Sequence, residues 1–424
     1  MDATSLPLPP EDPTGAADWV DAHLSDCVAD EPTPSPSFRG GQRAADAALA
    51  AFDVAGYART RNEVWPSERQ GASRLSPYIR HGLLDLPTVW AAVADGPRAD
   101  RDKFRDELGW QEYARHLYAR LGPAMAAPLR AEPVTRGEPP VTPAPGTGSP
   151  SPAPDPWDPE MACMQVAAGS LRTDGWVVNQ ARMWLASQWS VRHGRDWRAG
   201  EEAFFRHLLD GSRAANRTGW QWTVGTGTGR RYGFSRAQVE RRAPGLCATC
   251  ALEARCPVAD WPAADREGPP LPDTDPRLRH DPDPEATGGP REPRRTGHPT
   301  AVWLTAESLG DADPALQAHP ELPAVFVFDV PLLTRLQLSG KRLIFFAETL
   351  GDLASRRPLE VWRGDPVEVL ADRALATTFA PVPGWRRRSA ALDVQALYPW
   401  PWLVRPHGRS VRSFTAWAKA AGLR

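Results

Sequence analysis

Apolar positions follow two different patterns along this chain. Over residues 104–121 they recur about every 3.6 residues, which is typical of an amphipathic helix. From residue 301 onward they form short continuous runs, as buried parallel strands do. These runs cover 301–305, 324–328, 359–362 and 374–379. The pattern therefore predicts a helical first part and a second part with a different architecture.

The stretch 176–222 is predicted to be two helices joined by a polar loop. Asn179 and Met183 are four residues apart and share a helix face, which Arg182 flanks. The second helix is rich in Phe and Leu and ends at Asp210, before a glycine. Charges in apolar elements usually have partners, so Arg182 and Asp210 are expected to pair. Either a Trp-rich core with a structural ion pair or a functional site fits this pattern.

The second part alternates strands with helices. A helix is expected at 342–353, with its apolar residues on one side, and another begins at Val367. This alternation predicts an open α/β sheet of the Rossmann-like, parallel kind.

Three of the five cysteines suggest a metal centre. Cys247, Cys250 and Cys256 are closely spaced, and a fourth ligand would have to come from elsewhere in the chain. Four thiolates suit an iron–sulfur cluster or zinc, and spacing alone does not decide between them.

The composition limits the number of domains, the location of the protein and the kinds of partner it could bind. A chain of 424 residues with 41% hydrophobic content predicts two or three domains with real cores. It holds no apolar run long enough for a membrane span and no signal peptide, so a cytoplasmic protein is expected. The net charge is −2, but arginines are in excess over 176–255. That excess fits a phosphate-rich ligand or nucleic acid, or reflects a general preference for Arg over Lys.

The following organisation is predicted: a disordered leader at 1–37, a helical domain at 38–264 with a flexible Pro-rich insert at 128–159, a linker at 265–298 and an α/β domain at 299–424.

Several motifs resemble the DNA photolyase/cryptochrome family. GWVVNQARM, DWRAGE, HLLDGSRAAN and TGWQW are similar to its flavin-binding core, as is the earlier SRLSPYIRHG. VWLTAESLGDADPAL and WLVRPHGRSVRSFTAW resemble the family's N-terminal α/β domain, although an unrelated Rossmann-like domain is the alternative. The resemblance implies an all-helical FAD-binding domain followed by a Rossmann-like parallel α/β domain, in permuted order.

The resemblance also implies roles for individual residues. The FAD-binding set is Tyr57, Ser73, Arg74, Leu75, Ser76, Arg182, Asp210, Ser212 and Asn216. The residues implied to line a cavity for the DNA lesion are Glu107, Trp110, Asn179, Met183 and Trp222. Trp220 and Trp197 are implied to relay electrons.

An iron–sulfur subgroup of bacterial photolyases has a similar cysteine pattern. By that resemblance, Cys163, Cys247, Cys250 and Cys256 hold a [4Fe–4S] cluster, with zinc as the alternative. The chain departs from the family where Thr305-Ala-Glu-Ser-Leu309 replaces an Arg-Asp-Leu-Arg segment, which leaves the binding of an antenna chromophore open.

The implied function is light-driven electron transfer from reduced FAD to a cyclobutane pyrimidine dimer in DNA, by a monomeric protein. Asn179 favours cyclobutane dimers, since (6-4) repair enzymes tend to carry His at that position. One alternative is a blue-light photoreceptor that signals to a protein partner. Gln111 and Gln180 stand where the family usually has Arg, and this loss of cations favours the photoreceptor. Another alternative is an iron–sulfur flavoprotein that only binds nucleic acid.

Overall fold

The protein folds into a helical part and an α/β part that pack on each other. The computed structural model describes residues 3–131, 133, 157, 159–260, 275–423 and the backbone of 264–266. The helices are α1 Pro13–Leu24, α2 Gln42–Ala51, α3 Tyr57–Thr60, α4 Ser76–Arg80, α5 Leu86–Ala92, α6 Arg98–Leu121, α7 Ala162–Thr173, α8 Asn179–Ala186, α9 Trp197–His207, α10 Arg213–Thr223, α11 Arg236–Arg242, α12 Pro284–Gly288, α13 Pro314–Ala318, α14 Val330–Leu336, α15 Gly340–Ala354, α16 Pro366–Val369, α17 Trp385–Ala390 and α18 Phe414–Ala420. The strands are β1 Thr4–Leu6, β2 Arg230–Tyr232, β3 Ala264–Arg266, β4 Arg294–Arg295, β5 Ala301–Leu304, β6 Ala324–Asp329, β7 Leu359–Gly364, β8 Leu375–Thr378 and β9 Val394–Tyr398.

The long helix α6 runs through the helical part and confirms the amphipathic pattern seen over 104–121. Phe104, Leu108 and Leu117 are buried along its length, and the helix packs against α3, α10 and α18. It begins at Arg98, six residues before the pattern becomes clear.

The α/β part is built on a seven-stranded sheet with the order β1-β7-β6-β5-β8-β9-β4. The five central strands are parallel, and β1 and β4 lie antiparallel on the two edges. Strands β5, β6 and β7 extend the sheet in one direction, and β8 and β9 extend it in the other. The strand order therefore reverses between β5 and β8, which is where parallel sheets leave a crevice at their carboxyl ends.

The predicted fold class, a helical domain followed by a mostly parallel α/β sheet, is confirmed. The four predicted apolar runs are strands β5 to β8, and the helix expected at 342–353 is α15. Strands β1, β4 and β9 were not predicted. Each is short or only partly buried, so each lacks a continuous apolar run.

The prediction of a disordered leader at 1–37 is wrong for residues 3–37. Strand β1 pairs with β7, and α1 packs against α15 with Trp19, Val20 and Leu24 buried. Asp12 caps α1 by accepting a hydrogen bond from the amide of Gly15. The N-terminal segment thus belongs to the α/β part.

The predicted linker at 265–298 is also wrong where it is described. Residues 275–298 hold α12 and β4, and buried Asp281 pairs with Arg120 of α6 at 3.1 Å. Most of the predicted insert at 128–159 lies outside the described residues. The described Leu129 and Trp157 are both buried.

One hydrophobic cluster joins the two parts. It includes Trp176, Phe205 and Leu209 from the helical part and Leu343 and Phe345 from α15. The relative position of the two parts is therefore set by core packing. Among the described helices, none is both long and apolar enough to cross a membrane.

Candidate functional site

A cavity of about 1140 Å³ lies between the helical part and the carboxyl-end edge of the sheet. Most of the residues predicted for the FAD and lesion sites line it. They are Tyr57, Ser73, Arg74, Ser76, Glu107, Trp110, Asn179, Arg182, Met183, Asp210, Ser212, Asn216, Trp220 and Trp222. Two predicted residues do not line it: Leu75 and Trp197 are packed in the core.

Arg182 and Asp210 form an ion pair at the wall of this cavity. Arg182 lies on α8 and donates from Nη2 to Asp210 Oδ2 at 2.7 Å, while its Nε donates to the carbonyl of Val177. The Asp210 side chain is 6% exposed. Its second oxygen, Oδ1, is buried without a hydrogen-bond partner among the described residues. Leaving a buried carboxylate oxygen unpaired is costly, and Asp210 is one of the residues that line the cavity.

Asn216 also lines the cavity and carries a second buried polar atom without a partner among the described residues. It lies on α10, six residues before Trp222, and is 5% exposed. Its Nδ2 has no partner among the described residues. A buried amide donor without an acceptor is costly, so this one also indicates a ligand.

A third group of predicted residues surrounds the start of α4. Arg74 has a φ of 58°, and its guanidinium lies over the neighbouring rings of Phe38 and Trp176, 4.8 and 4.9 Å from their centroids. Burial lowers the pKa of Arg74. Ser76 accepts a hydrogen bond from Trp176 Nε1 at 3.0 Å. The stacked cation and the hydroxyls beside it can bind an anion.

Helix α6 supplies Glu107 and Trp110, which are three residues apart and both line the cavity. The Glu107 carboxylate is held by Arg61 at 3.2 Å and by Lys103 at 2.8 Å. The Trp110 indole stacks on Phe414 of α18. Sequence reasoning did not find Arg61 and Phe414. Arg61 follows Tyr57 by one helical turn, but Phe414 gave no local signal.

The mouth of the cavity carries Asn179, Met183 and Trp222. Asn179 Nδ2 donates to Met183 Sδ at 3.7 Å, so the two side chains do share one face. Trp222 is 37% exposed and packs beside Tyr232. The sulfur of Met183 and the ring of Trp222 therefore give this part of the cavity wall an apolar surface.

The two predicted relay tryptophans have different surroundings. Trp220 lines the cavity and contacts Phe204, with ring centroids 5.0 Å apart. From Phe204 the ring contacts continue to Trp157 at 5.9 Å and then to half-buried Trp189 at 5.3 Å. The guanidinium of Arg198 lies over the ring of Trp197, 4.8 Å from its centroid. Sequence reasoning gave neither Phe204 nor Trp189 a role in the relay.

The four cysteines predicted to bind metal line one small second cavity. Burial and then the three neighbouring thiols raise the pKa of Cys163 to about 12, which reflects how closely they converge. Burial likewise raises the pKa of Cys247 to about 11. Within the described residues, no His, Cys, Asp or Glu group has the spacing to hold a metal ion as it stands.

The main cavity extends to the carboxyl ends of β5 and β6. There its wall contains Trp303, Phe328, Trp385 and Trp400, together with residues 381–383. Asp329 and Arg388 form an ion pair at this end. The extension lies at the strand-order reversal of the sheet, where ligands of open α/β sheets usually bind.

Comparison with known proteins points to one family. Residues 162–242 match the family model described as the FAD binding domain of DNA photolyase. A deoxyribodipyrimidine photo-lyase of Thermus thermophilus is 34% identical over 211 residues, which cover 46% of this chain and 44% of the relative. One from Synechococcus is 30% identical, over 44% of this chain and 39% of the relative. The chain thus spans less than half the length of these curated relatives.

Two solved structures match part of this chain. A cryptochrome of Synechocystis matches with a TM-score of 0.42 at 20% identity, covering 50% of this chain and 45% of the other. An archaeal photolyase of Sulfolobus tokodaii, solved with two FAD molecules, matches with a TM-score of 0.40 at 19% identity. The match covers 54% of this chain and 53% of the other.

The residues around the main cavity fit a flavin. The unpaired Asp210 Oδ1 is an acceptor and the unpaired Asn216 Nδ2 is a donor, and a flavin ring carries both donors and acceptors on its edge. The stacked guanidinium of Arg74 fits the diphosphate.

Proposed function

We propose that this chain, which belongs to the DNA photolyase/cryptochrome family through residues 162–242, binds FAD in the main cavity and splits pyrimidine dimers in DNA under light. The observation that carries the proposal is the pair of buried unpaired atoms, Asp210 Oδ1 and Asn216 Nδ2, which belong to residues lining one cavity beside Arg182. Bound FAD supplies a light-excitable electron donor. The remaining steps belong to the protein's own side chains.

The polar residues hold the cofactor in place. Arg182 and Asp210 bind the edge of the ring system, and Asn216 donates to it. Ser73 and Arg74 bind the phosphates, with Tyr57, Leu75, Ser76 and Ser212 completing the wall and its support. Because Arg182 and Asp210 already pair at 2.7 Å, the ring binds to a site that needs little reorganisation.

The entrance residues receive the lesion. A damaged base pair is weakened, so turning the dimer out of the duplex costs only a few kcal/mol. Trp110, Met183 and Trp222 provide apolar surfaces for the dimer and exclude water from it. Glu107, held by Arg61, accepts hydrogen bonds from the exposed edges of the pyrimidines, and Asn179 provides a further amide.

Trp220 and Trp197 are proposed as electron relays to the flavin, as the sequence implies. Trp220 lines the cavity, which supports its role directly. Trp197 is 2% exposed and lies on α9. The family's usual domain order is reversed in this chain under the same proposal, since the parallel sheet follows the helical part.

We also propose a [4Fe–4S] cluster bound by Cys163, Cys247, Cys250 and Cys256. The convergence of these four thiols on one small cavity supports it. Cluster binding requires them to deprotonate and to move closer to a common centre. Anaerobic purification with iron, sulfide and zinc analysis tests the assignment. Iron and sulfide near four per chain support the cluster, whereas one zinc replaces it with a structural zinc site.

The extension at the sheet edge is proposed to hold an antenna chromophore. Its aromatic wall and its ion pair between Asp329 and Arg388 suit a flat ring with a polar substituent. Extraction of a second pigment from purified protein supports this use, whereas full occupancy by FAD alone contradicts it.

A blue-light photoreceptor is the second candidate, and Gln180 favours it. Gln180 is buried and donates to the hydroxyl of Tyr232 at 2.7 Å, so it cannot meet a DNA phosphate as an exposed arginine does. This candidate uses the same flavin site without repair.

One experiment separates these functions. The full chain is loaded with FAD, reduced, mixed with dimer-containing single- or double-stranded DNA and exposed to blue light. Loss of dimers in light but not in darkness supports repair. Photoreduction of the flavin without loss of dimers supports the photoreceptor, and failure to bind FAD at all contradicts both.

A further inference from the structure

The end of α9, next to the flavin-site residue Asp210, is capped by the α/β part. The last carbonyls of a helix have no partners within the helix. Here the carbonyl of Phe205 accepts a hydrogen bond from Arg342 Nη1, and that of Arg206 accepts one from the amide of Ser339 at 3.0 Å. Both donors lie at the start of α15.

Arg342 reaches past the helix end to the turn that carries Asp210. Its Nη2 donates to the carbonyl of Gly211 at 2.7 Å, and its guanidinium lies 4.5 Å from the ring centroid of Phe205. The residue is 2% exposed. Burial and the nearby Arg80 lower the pKa of Arg342 to about 9, so it stays cationic at neutral pH. A cation at a helix C-terminus is stabilised by the partial negative charge there.

Two further side chains hold the same turn. Arg80 Nε donates to the carbonyl of Gly211 at 2.8 Å, and Arg80 also pairs with Glu307 of the α/β part at 2.9 Å. His81 Nε2 lies 2.9 Å from the carbonyl of Leu209, and its Nδ1 lies 2.8 Å from that of Ala306. Arg80 and His81 therefore each connect the turn around Asp210 to the loop after β5.

These contacts fix the backbone on both sides of Asp210. The carbonyl of Leu209 precedes Asp210, and that of Gly211 follows it, so the direction of the Asp210 side chain depends on both. The contact is close: a Cβ on Gly211 would lie 2.5 Å from Arg342 Nη1. Only glycine leaves room for the guanidinium here.

We propose that Arg342 is a positioning residue through which the α/β part orients Asp210 for the flavin. The inference rests on the proposed binding of FAD. It implies that docking of the α/β part and binding of FAD stabilise each other, since coupling between two sites is reciprocal.

Substitution of Arg342 tests this on the full chain. We expect Arg342→Met to release FAD about tenfold faster than wild type, which corresponds to about 1.4 kcal/mol, and to shift the flavin midpoint potential. Arg342→Lys, which keeps the charge but not the paired donors, should restore part of both properties. The matched control is Arg357→Met. Arg357 also donates to three carbonyls of the α/β part, those of Leu316, His319 and Leu322, but it does not line the cavity.

The outcomes are distinct. If Arg342→Met and Arg357→Met have the same FAD release rate and potential, the positioning role is wrong while the proposed function stands. If wild type binds no FAD, both fail together.

Hydrogen exchange on the wild-type chain provides a measurement that needs no variant. Addition of FAD should slow exchange of the Ser339 amide, which donates across the junction to Arg206. Exchange at 339–344 that is unchanged by FAD contradicts the coupling, even if Arg342→Met does not fold.

Discussion

The indole of Trp110 lies flat on the ring of Phe414, with centroids 3.9 Å apart and ring planes 13° from parallel. The two residues are 304 positions apart in the sequence, since 414 − 110 = 304. Phe414 begins α18, which packs on α6. One face of the proposed lesion-binding tryptophan is therefore supported by the C-terminal helix, and its orientation depends on that helix.

Phe414→Leu should weaken binding of dimer-containing DNA without removing FAD. Aromatic pairs contribute about 0.5–1.5 kcal/mol beyond burial, which is a loss of roughly two- to tenfold in affinity. Titration with a dimer-containing oligonucleotide measures it. Phe379→Leu is the control, because Phe379 packs on Trp385 and does not line the cavity. Equal affinities for the two variants would show that the stack does not orient Trp110.

Asp210→Asn should reduce FAD affinity by at least about tenfold, or 1.4 kcal/mol. The substitution keeps the shape of the side chain but leaves Arg182 without its counter-charge beside the flavin. Asp352→Asn is the matched control. Asp352 is equally buried and pairs with Arg43 and Arg356, away from the cavity. If the FAD affinity falls equally in both variants, the loss results from general destabilisation and not from the position of Asp210 at the flavin site.

Local spacing predicted the parts of the site that lie within one helix or one turn. Asn179 and Met183 share a face, and Glu107 and Trp110 line one wall, because helical geometry places residues three or four apart together. The pairing of Arg182 with Asp210 could be predicted because a buried charge without a partner is costly.

Contacts between distant segments could not be read in this way. Neither Phe414 nor Arg342 carries a local signal for its partner, because each contact depends on how the two parts dock. The prediction of a disordered leader failed for a different reason. The Pro- and Asp-rich composition of this segment suggested disorder, although the segment contains α1. Asp12 before Pro13 is a helix-start signal, and Trp19 and Val20 fall on the face of that helix that is buried.

Gly200→Ala should destabilise the protein and disturb Trp220. Helix α9 passes so close to Trp220 that a Cβ at position 200 would lie 2.1 Å from Cη2 of the indole. Overpacking of this kind costs about 1–3 kcal/mol. Gly169→Ala on α7 is the control, since nothing lies within 4 Å of its Cβ. There the substitution should stabilise by about 0.5–1 kcal/mol, because alanine favours a helix interior. Chemical denaturation of the two variants measures the difference, and similar stabilities would contradict the close packing.

His116 should make the fold sensitive to acid. Its Nδ1 accepts a hydrogen bond from Trp417 Nε1 at 2.9 Å, and its Nε2 donates to the carbonyl of Val404 at 2.7 Å. Both ring nitrogens of the neutral imidazole therefore have hydrogen-bond partners. Burial lowers the pKa of His116 to about 3, from 6.5. Below pH 6.5 the unfolded chain therefore binds a proton that the folded chain does not. Stability should fall as the pH falls from about 6.5 towards 3, by up to about 1.4 kcal/mol per pH unit for this group.

The contribution of His116 can be isolated with His116→Gln, whose amide does not titrate and also offers both a donor and an acceptor. Its free energy of unfolding should depend less steeply on pH between 6 and 4.5 than that of wild type, by about one proton. His81 is also buried with a pKa lowered to about 3, so a residual slope is expected in the variant. Denaturant titrations at several pH values give both slopes. Parallel curves for the two proteins would mean that His116 has the same pKa in the folded and unfolded chains, and would contradict this prediction.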